Sequence, residues 1–216
     1  MNQYNEKEGG YFSSTRSEIL RLLPEYSGKV LEIGCGSGQT LAMIKEKRLC
    51  AETVGIELFQ SAADEARKRV DRVYCLNVER DEIPSEVQQF DLILILDVLE
   101  HLVDPWAFLS KLVGSHLAPN GKLIASIPNA RHFSMVLPLL AGNFDYVERG
   151  ILDKTHLRFF TRRSAVKLLN HAGLSVEATQ STSLDFRLNS GKLNALTLGL
   201  FSEFLSLQYL FRACKS

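Results

Sequence analysis

The feature that most constrains the fold is a glycine-rich segment near the N-terminus, residues 30–38, with the sequence Val-Leu-Glu-Ile-Gly-Cys-Gly-Ser-Gly. An aliphatic run that ends in an acid and then breaks into glycines predicts a β-strand followed by a tight turn. Glycine adopts positive φ and has no Cβ, so its backbone lets a ligand come close. The segment therefore predicts a strand–turn–helix unit that holds a cofactor at the turn.

The glycine spacing separates two classes of cofactor. In the dinucleotide fingerprint G-x-G-x-x-G, the last glycine packs the helix against the strand. Here Gly38 comes one residue early, and Gln39 stands where that fingerprint has its last glycine. The form E-I-G-C-G-S-G instead resembles motif I of the class I S-adenosylmethionine-dependent methyltransferases. The resemblance implies cofactor contacts from Glu32, Gly34, Cys35, Gly36 and Gly38.

Short apolar runs alternate with helical segments along the chain, which favours a doubly wound α/β sheet. The predicted strands are 29–33, 53–56, 72–76, 91–96, 122–127, 174–179 and 207–213. The predicted helices are 15–23, 40–47, 60–70, 82–88, 105–117, 163–172 and 192–204. The resemblance implies a Rossmann-like class I methyltransferase fold, with a seven-stranded, mostly parallel sheet, an antiparallel last strand and helices on both faces. We expect one domain over residues 1–216, a length that one hydrophobic core can serve.

Two segments outside the predicted sheet are expected to close the site. The residues around Tyr11 and Arg16 resemble the N-terminal lid of the family, which implies a lid helix over 11–28. There Arg16 could neutralise the methionine carboxylate, although it could equally be an ordinary surface arginine. Residues 129–160 follow the fifth strand and are broken by proline and glycine, so we expect a mobile cover over the substrate.

Ends of other predicted strands carry residues suited to the rest of an adenosyl cofactor. Glu57 follows the second strand, where a carboxylate can accept hydrogen bonds from ribose hydroxyls, although such an acid is often merely solvated. Asn77 offers a donor and an acceptor to an adenine edge, and Val78 would pack near the ring, although Asn is also a common turn residue. The resemblance adds the neighbouring residues Leu58, Asp97 and Val98 to the cofactor site.

Candidate residues for the chemistry follow the fourth strand, where Asp97, Glu100 and His101 stand at i, i+3 and i+4. On a helix these side chains would share one face and form either a base held by an acid or a cation site. With the later His156, the pattern resembles the ubiquinone-biosynthesis O-methyltransferases and the small-RNA terminal 2′-O-methyltransferases. The resemblance implies catalytic roles for His101 and His156. A divalent metal is the alternative, but Asp97 is shorter than the usual glutamate, so we favour a metal-free base.

Composition limits the partners. Lys+Arg and Asp+Glu both number 25, so no overall field favours nucleic acid, and we expect a small-molecule substrate. Polar residues interrupt the apolar stretch 193–211, which argues against stable membrane insertion. Residues 1–10 show no secretory signal, and the four cysteines lack C-x-x-C spacing, so we expect reduced thiols and a cytoplasmic location. The oligomeric state is left open.

The function that the sequence favours is O-methylation of a small molecule, and other classes remain as alternatives. A nicotinamide-dependent oxidoreductase is disfavoured by Gln39 and by the lack of a Tyr-x-x-x-Lys pattern. A non-catalytic S-adenosylmethionine-binding protein would keep the glycine turn and Glu57 but would not need the two histidines. A nucleic-acid base methyltransferase would carry N/D-P-P-Y/F where this chain has Asp-Val-Leu-Glu at 97–100.

Overall fold

The computed structural model describes residues 15–84, 89–182 and 202–216. Their centre is a seven-stranded sheet of order β3-β2-β1-β4-β5-β7-β6. The strands are β1 Ser27–Ile33, β2 Cys50–Glu57, β3 Arg72–Cys75, β4 Phe90–Leu96, β5 Leu117–Pro128, β6 Leu174–Thr182 and β7 Gln208–Lys215. Strand β7 runs antiparallel to both of its neighbours, and the other neighbouring pairs are parallel. The predicted sheet is confirmed.

Helices surround this sheet. The α-helices are α1 Gln39–Glu46, α2 Gln60–Ala66, α3 Pro105–His116, α4 Phe133–Leu140, α5 Arg162–His171 and α6 Ser202–Leu205. Short 3-10 helices cover Ser17–Arg21 and Leu99–His101. Local sequence explains where two of the helices begin: Asp104 caps α3 with Pro105 at its first position, and Thr161 caps α5 in a capping box with Ser164.

The sheet is buried on both faces. The β4 run from Leu92 to Ile95 is almost fully buried, which a continuous apolar run requires in a parallel strand covered by helices. Two apolar clusters flank the sheet, one around Ile93 and Leu109, the other around Leu94 and Leu41. Within the described residues, no helix combines the length and apolar character that a transmembrane span needs.

The strand order positions the site. Strand β1 lies between β2 and β4, so the direction of the strand order reverses there. In open α/β sheets, ligands bind in the crevice outside the carboxyl ends of the strands at such a switch point. The glycine turn after β1 and Asp97 after β4 both lie at this crevice.

The N-terminal lid differs from its prediction. A single 3-10 turn at Ser17–Arg21 replaces the predicted helix 15–23, and β1 already begins at Ser27, inside the predicted lid helix 11–28. Pro24 and the pairing of Ser27 with Cys50 explain why no helix continues to residue 28. Tyr11 lies outside the described residues.

Other predicted elements need correction as well. Residues 82–84 are not helical and 85–88 lie outside the described residues, so no helix 82–88 is observed. Of the predicted helix 192–204, only the part in α6 falls on described residues. The segment 129–160 is less irregular than predicted, because it contains α4 and is closed by a bridge between Asn129 and Phe160.

Candidate functional site

A large cavity of about 630 Å³ opens at the carboxyl ends of β1, β2 and β4. It takes in most of the residues that the sequence assigns to a cofactor. Those that line it are Arg16, Glu32, Gly34, Cys35, Gly36, Glu57, Leu58, Asn77, Val78, Asp97 and Val98. Gly38 does not line the cavity but caps α1 in the left-handed conformation. The roles of these residues in binding stay predictions.

The glycine turn has the backbone that its sequence predicts. Gly34, Gly36 and Gly38 have φ of 71°, 53° and 79°. A Cβ on Gly34 would meet Val98 Cγ2 at 2.7 Å, so the turn has no room for a side chain there. Burial raises the pKa of the Cys35 thiol, which fits a small packing residue rather than a nucleophile.

Glu57 is tied to the glycine turn. Its Oε2 accepts the Gly36 N–H at 2.8 Å, and its Oε1 accepts the N–H groups of Leu58 and Phe59 at 2.8 and 3.0 Å. A carboxylate has about four lone-pair sites, so Oε2 keeps capacity for one further donor. Burial raises the pKa of Glu57, and these backbone N–H groups oppose the rise. Glu57 can therefore bind one ribose hydroxyl while it holds the turn in shape.

Glu32 lies beneath the same turn. It is 3% exposed, and its Oε2 has no hydrogen-bond partner among the described residues. Burial raises its pKa to about 8, with Arg16 lowering it and Glu57 raising it further. A buried acid with a strongly shifted pKa in a cleft is typical of a functional site.

At the other end of the cavity, Arg16 and Asp97 form an ion pair with Nη1 and Oδ2 2.5 Å apart. Burial lowers the pKa of Arg16, but Asp97 and Glu18 outweigh burial and the pKa is raised. Asp97 has φ 56°, and its Oδ1 accepts from Ser126 Oγ at 2.7 Å and from Gln208 Nε2. A cation and an anion side by side match the charges of an α-amino acid zwitterion.

Asn77 and Val78 line the cavity beyond β3. The Oδ1 of Asn77 accepts the Glu79 N–H at 2.9 Å, so the side chain forms the local turn that its residue type favours. Its Nδ2 remains a donor that an adenine edge could accept. The local turn of Asn77 is thus observed, and its contact with adenine stays a prediction.

A small cavity of about 220 Å³ adjoins the large one. It is lined by Asp97, Glu100, His101, Pro128, Gly150, Ile151, Asp153, His156, Leu207 and Gln208. Asp97, His101 and Gln208 line both cavities, so they form the wall between them. Four residues of the segment 129–160 line this cavity, and a role of the segment as a substrate cover stays a prediction.

Both predicted catalytic histidines reach the small cavity. Nδ1 of His101 lies 3.0 Å from the Thr155 carbonyl oxygen, and Nδ1 of His156 lies 2.8 Å from that of Ile151. Because a carbonyl only accepts, each Nδ1 carries a proton and donates it to that carbonyl. The two rings meet edge to face with centroids 4.6 Å apart.

Glu100 completes this cluster. It is 1% exposed, neither carboxylate oxygen has a hydrogen-bond partner among the described residues, and burial raises its pKa well above the usual range. Ligand atoms of Glu100, His101 and His156 lie within 4.8 Å of one another. Two imidazoles and an unpartnered carboxylate are a donor set that suits a divalent transition metal. The same groups can also hold a proton.

The structure corrects the predicted geometry after β4. Asp97 adopts a left-handed conformation before a 3-10 turn, so the three residues do not follow one another on an α-helix. A backbone carbonyl of Thr155, rather than the predicted Asp97, bonds Nδ1 of His101. The hydrogen bonds of Gln208 and Ser126 to Asp97 were not predicted from the sequence. Neither residue belongs to a recognisable motif, and they lie 111 and 29 residues from Asp97.

Comparison with known proteins identifies the family of the chain. Residues 8–179 match the family model of a methyltransferase domain. A protein-L-isoaspartate O-methyltransferase of Bradyrhizobium sp. is 32% identical over 138 residues, 62% of this chain and 59% of the relative. A ubiquinone biosynthesis O-methyltransferase of Bradyrhizobium diazoefficiens is 33% identical over 134 residues, 59% of this chain and 50% of the relative. The chain thus spans between half and three-fifths of the length of these relatives.

Solved structures share the fold. A magnesium protoporphyrin IX methyltransferase from Synechocystis PCC 6803 with bound SAH superposes with a TM-score of 0.63 at 17% identity, covering 96% of this chain and 83% of the other. An S-adenosylmethionine-dependent methyltransferase from Mesorhizobium loti gives a TM-score of 0.64 at 15% identity, covering 93% and 98%.

Proposed function

The chain belongs to the class I S-adenosylmethionine-dependent methyltransferases, and on that basis we propose that it methylates a hydroxyl group of a small molecule. The observation that carries the proposal is the set of side chains that line the small cavity. Three acidic side chains line it, those of Asp97, Glu100 and Asp153, and no Lys or Arg of the described residues does. Such a cavity favours a neutral hydroxylated acceptor over an anionic one.

The residues of the large cavity fit the cofactor. Its glycine turn leaves no room for a side chain at Gly34, and the groups around the turn offer a partner for each part of the cofactor. Arg16 and Asp97 would bind the methionyl carboxylate and ammonium, Glu57 a ribose hydroxyl, and Asn77 an adenine edge. S-adenosylmethionine supplies, when bound, a methyl group made electrophilic by its sulfonium.

The histidines provide the proton chemistry. An acceptor hydroxyl in the small cavity would have to give up its proton for its oxygen to act as the nucleophile. His101 lines both cavities, and its Nε2 is a suitable base because the Thr155 carbonyl fixes the tautomer through Nδ1. The rest of the rate enhancement would come from orienting the acceptor oxygen toward the methyl group.

A divalent metal is the second candidate for activating the hydroxyl. The observation that favours it is Glu100, a buried carboxylate without a partner among the described residues. Glu100, His101 and His156 would hold the ion, which would lower the pKa of a bound hydroxyl. Asp97 would take no part, because Arg16, Ser126 and Gln208 already engage its carboxylate. The base is our first choice.

A paired acceptor assay tests the proposal. The protein is incubated with methyl-labelled S-adenosylmethionine and one of two sets of acceptors. The hydroxyl acceptors are catechol and a hexose, and the carboxylate acceptors are benzoate and an isoaspartyl peptide. We expect transfer to a hydroxyl and none to the carboxylates, with activity lost in His101→Ala and kept in His171→Ala, an exposed histidine at the end of α5. Methyl ester formation on the carboxylate acceptors would contradict the proposal.

A further inference from the structure

Gln208 occupies an unusual place for a residue of the last strand. It is the first residue of β7 and pairs with Pro128 of β5 and Thr182 of β6. Its side chain is half-buried and lines both cavities. The antiparallel strand β7 therefore contributes a side chain to the wall between the two cavities.

The hydrogen bonds of Gln208 are directional. Its Nε2 donates to Asp97 Oδ1 and to Ser126 Oγ. Since an ionised carboxylate only accepts, the amide nitrogen must face Asp97. Ser126 donates its single proton to Asp97 Oδ1 and accepts from Gln208 and from Arg16 Nη2. Each donor in this network thus has an acceptor.

The two oxygens of the Asp97 carboxylate have different hydrogen-bond partners. Arg16 binds Oδ2, whereas Ser126 and Gln208 bind Oδ1. Asp97 itself has φ 56°, a conformation that costs free energy in a residue other than glycine and persists only where neighbours hold it. When the cofactor binds, we expect Arg16 to donate some of its hydrogen bonds to the methionyl carboxylate. The conformation of Asp97 then depends more on Ser126 and Gln208.

We propose that Gln208 is a positioning residue, which holds Asp97 Oδ1 so that the carboxylate stays in place for the α-ammonium of the methionyl group. The inference rests on the proposed roles of Arg16 and Asp97 in the cofactor site. It assigns to the C-terminal strand a part in selecting ligands that carry the amino acid moiety. The adenosine half of the cofactor would bind at Glu57 and Asn77, and no hydrogen bond joins Gln208 to either of these described residues.

Two ligands that differ in this moiety test the inference by calorimetry. S-adenosylhomocysteine carries the amino acid group and 5′-methylthioadenosine lacks it. Gln208→Met keeps the length of the side chain but removes the donor, and we expect roughly tenfold weaker binding of S-adenosylhomocysteine with unchanged binding of 5′-methylthioadenosine. Gln208→Glu, which cannot donate and adds charge beside Asp97, should lose at least as much.

The control is Gln180→Met, a half-buried glutamine of β6 that lines neither cavity. It should change neither affinity. Equal losses for both ligands in the Gln208 variants, or no loss for either, would overturn the inference while leaving the proposed function standing. If Gln208→Met does not fold, Ser126→Ala removes the companion donor and should show the same selectivity. A wild-type protein that binds neither ligand would overturn the inference and the proposed function together.

Discussion

Glu32→Gln should make the protein more stable, and the gain should grow with pH. The pKa of Glu32 is raised to about 8 in the folded protein, mainly by burial, against 4.5 for an ordinary glutamate. Between these values the folded state holds a proton that the unfolded state has released. Stability therefore falls as pH rises through this window, is unaffected by Glu32 below it, and changes no further above it.

The magnitude follows from the shift. Each pKa unit is worth about 1.4 kcal/mol, so the shift from 4.5 to about 8 costs the wild type about 5 kcal/mol once Glu32 is ionised. Glutamine has nearly the same shape and cannot ionise. The variant should thus resemble the wild type near pH 4.5 and exceed it by about 5 kcal/mol near pH 8, which is large beside a typical domain stability of roughly 5–15 kcal/mol.

Urea denaturation of the ligand-free protein at a series of pH values from 4.5 to 9 measures this difference. Glu46→Gln, an exposed glutamate on α1, is the control and should show a difference close to zero throughout. A Glu32→Gln difference that stays flat across this range would refute the reasoning. It would mean that Glu32 is not held protonated by burial.

The remaining predictions concern binding and turnover. Glu57→Ala should weaken S-adenosylhomocysteine binding by about 1.5–3 kcal/mol in calorimetry. It should also lower the melting temperature, because three backbone N–H groups lose their acceptor, and unchanged affinity would contradict a ribose contact. With a base at His101, a chelator should leave turnover unchanged, and turnover should be lost in His101→Ala. Loss of activity in EDTA that Mn²⁺ or Zn²⁺ restores would establish the metal instead. Unchanged rates in both His101→Ala and His156→Ala would refute both versions.

Sequence regularities were enough to predict the sheet and the glycine turn. A parallel strand covered on both faces requires an unbroken apolar run such as Leu92–Ile95, and a turn with positive φ favours glycine. Each of these signals lies within one short segment, so it can be recognised in the sequence without knowledge of the tertiary contacts. The carboxyl ends of those strands converge in any doubly wound sheet. The predicted residues Glu57, Asn77 and Asp97 consequently meet at one cavity.

What could not be predicted depends on contacts between distant segments. The carbonyl of Thr155 orients His101 across 54 residues, and a carbonyl has no signature in sequence because every residue carries one. Gln208 reaches Asp97 only because β7 inserts between β5 and β6. The helix α4 has an all-apolar composition apart from Ser134 and contains Pro138, so neither periodicity nor propensity indicated a helix there.

The most direct test of the central claim is calorimetry with S-adenosylhomocysteine and NAD on the purified protein. The glycine turn, Glu57 and the Arg16–Asp97 pair predict micromolar-class binding of S-adenosylhomocysteine, roughly 8 kcal/mol, and no binding of NAD. Gly36→Val should abolish that binding, because Gly36 has φ 53° and its N–H is held by Glu57 within the cavity wall. Binding of NAD without binding of S-adenosylhomocysteine would contradict the account.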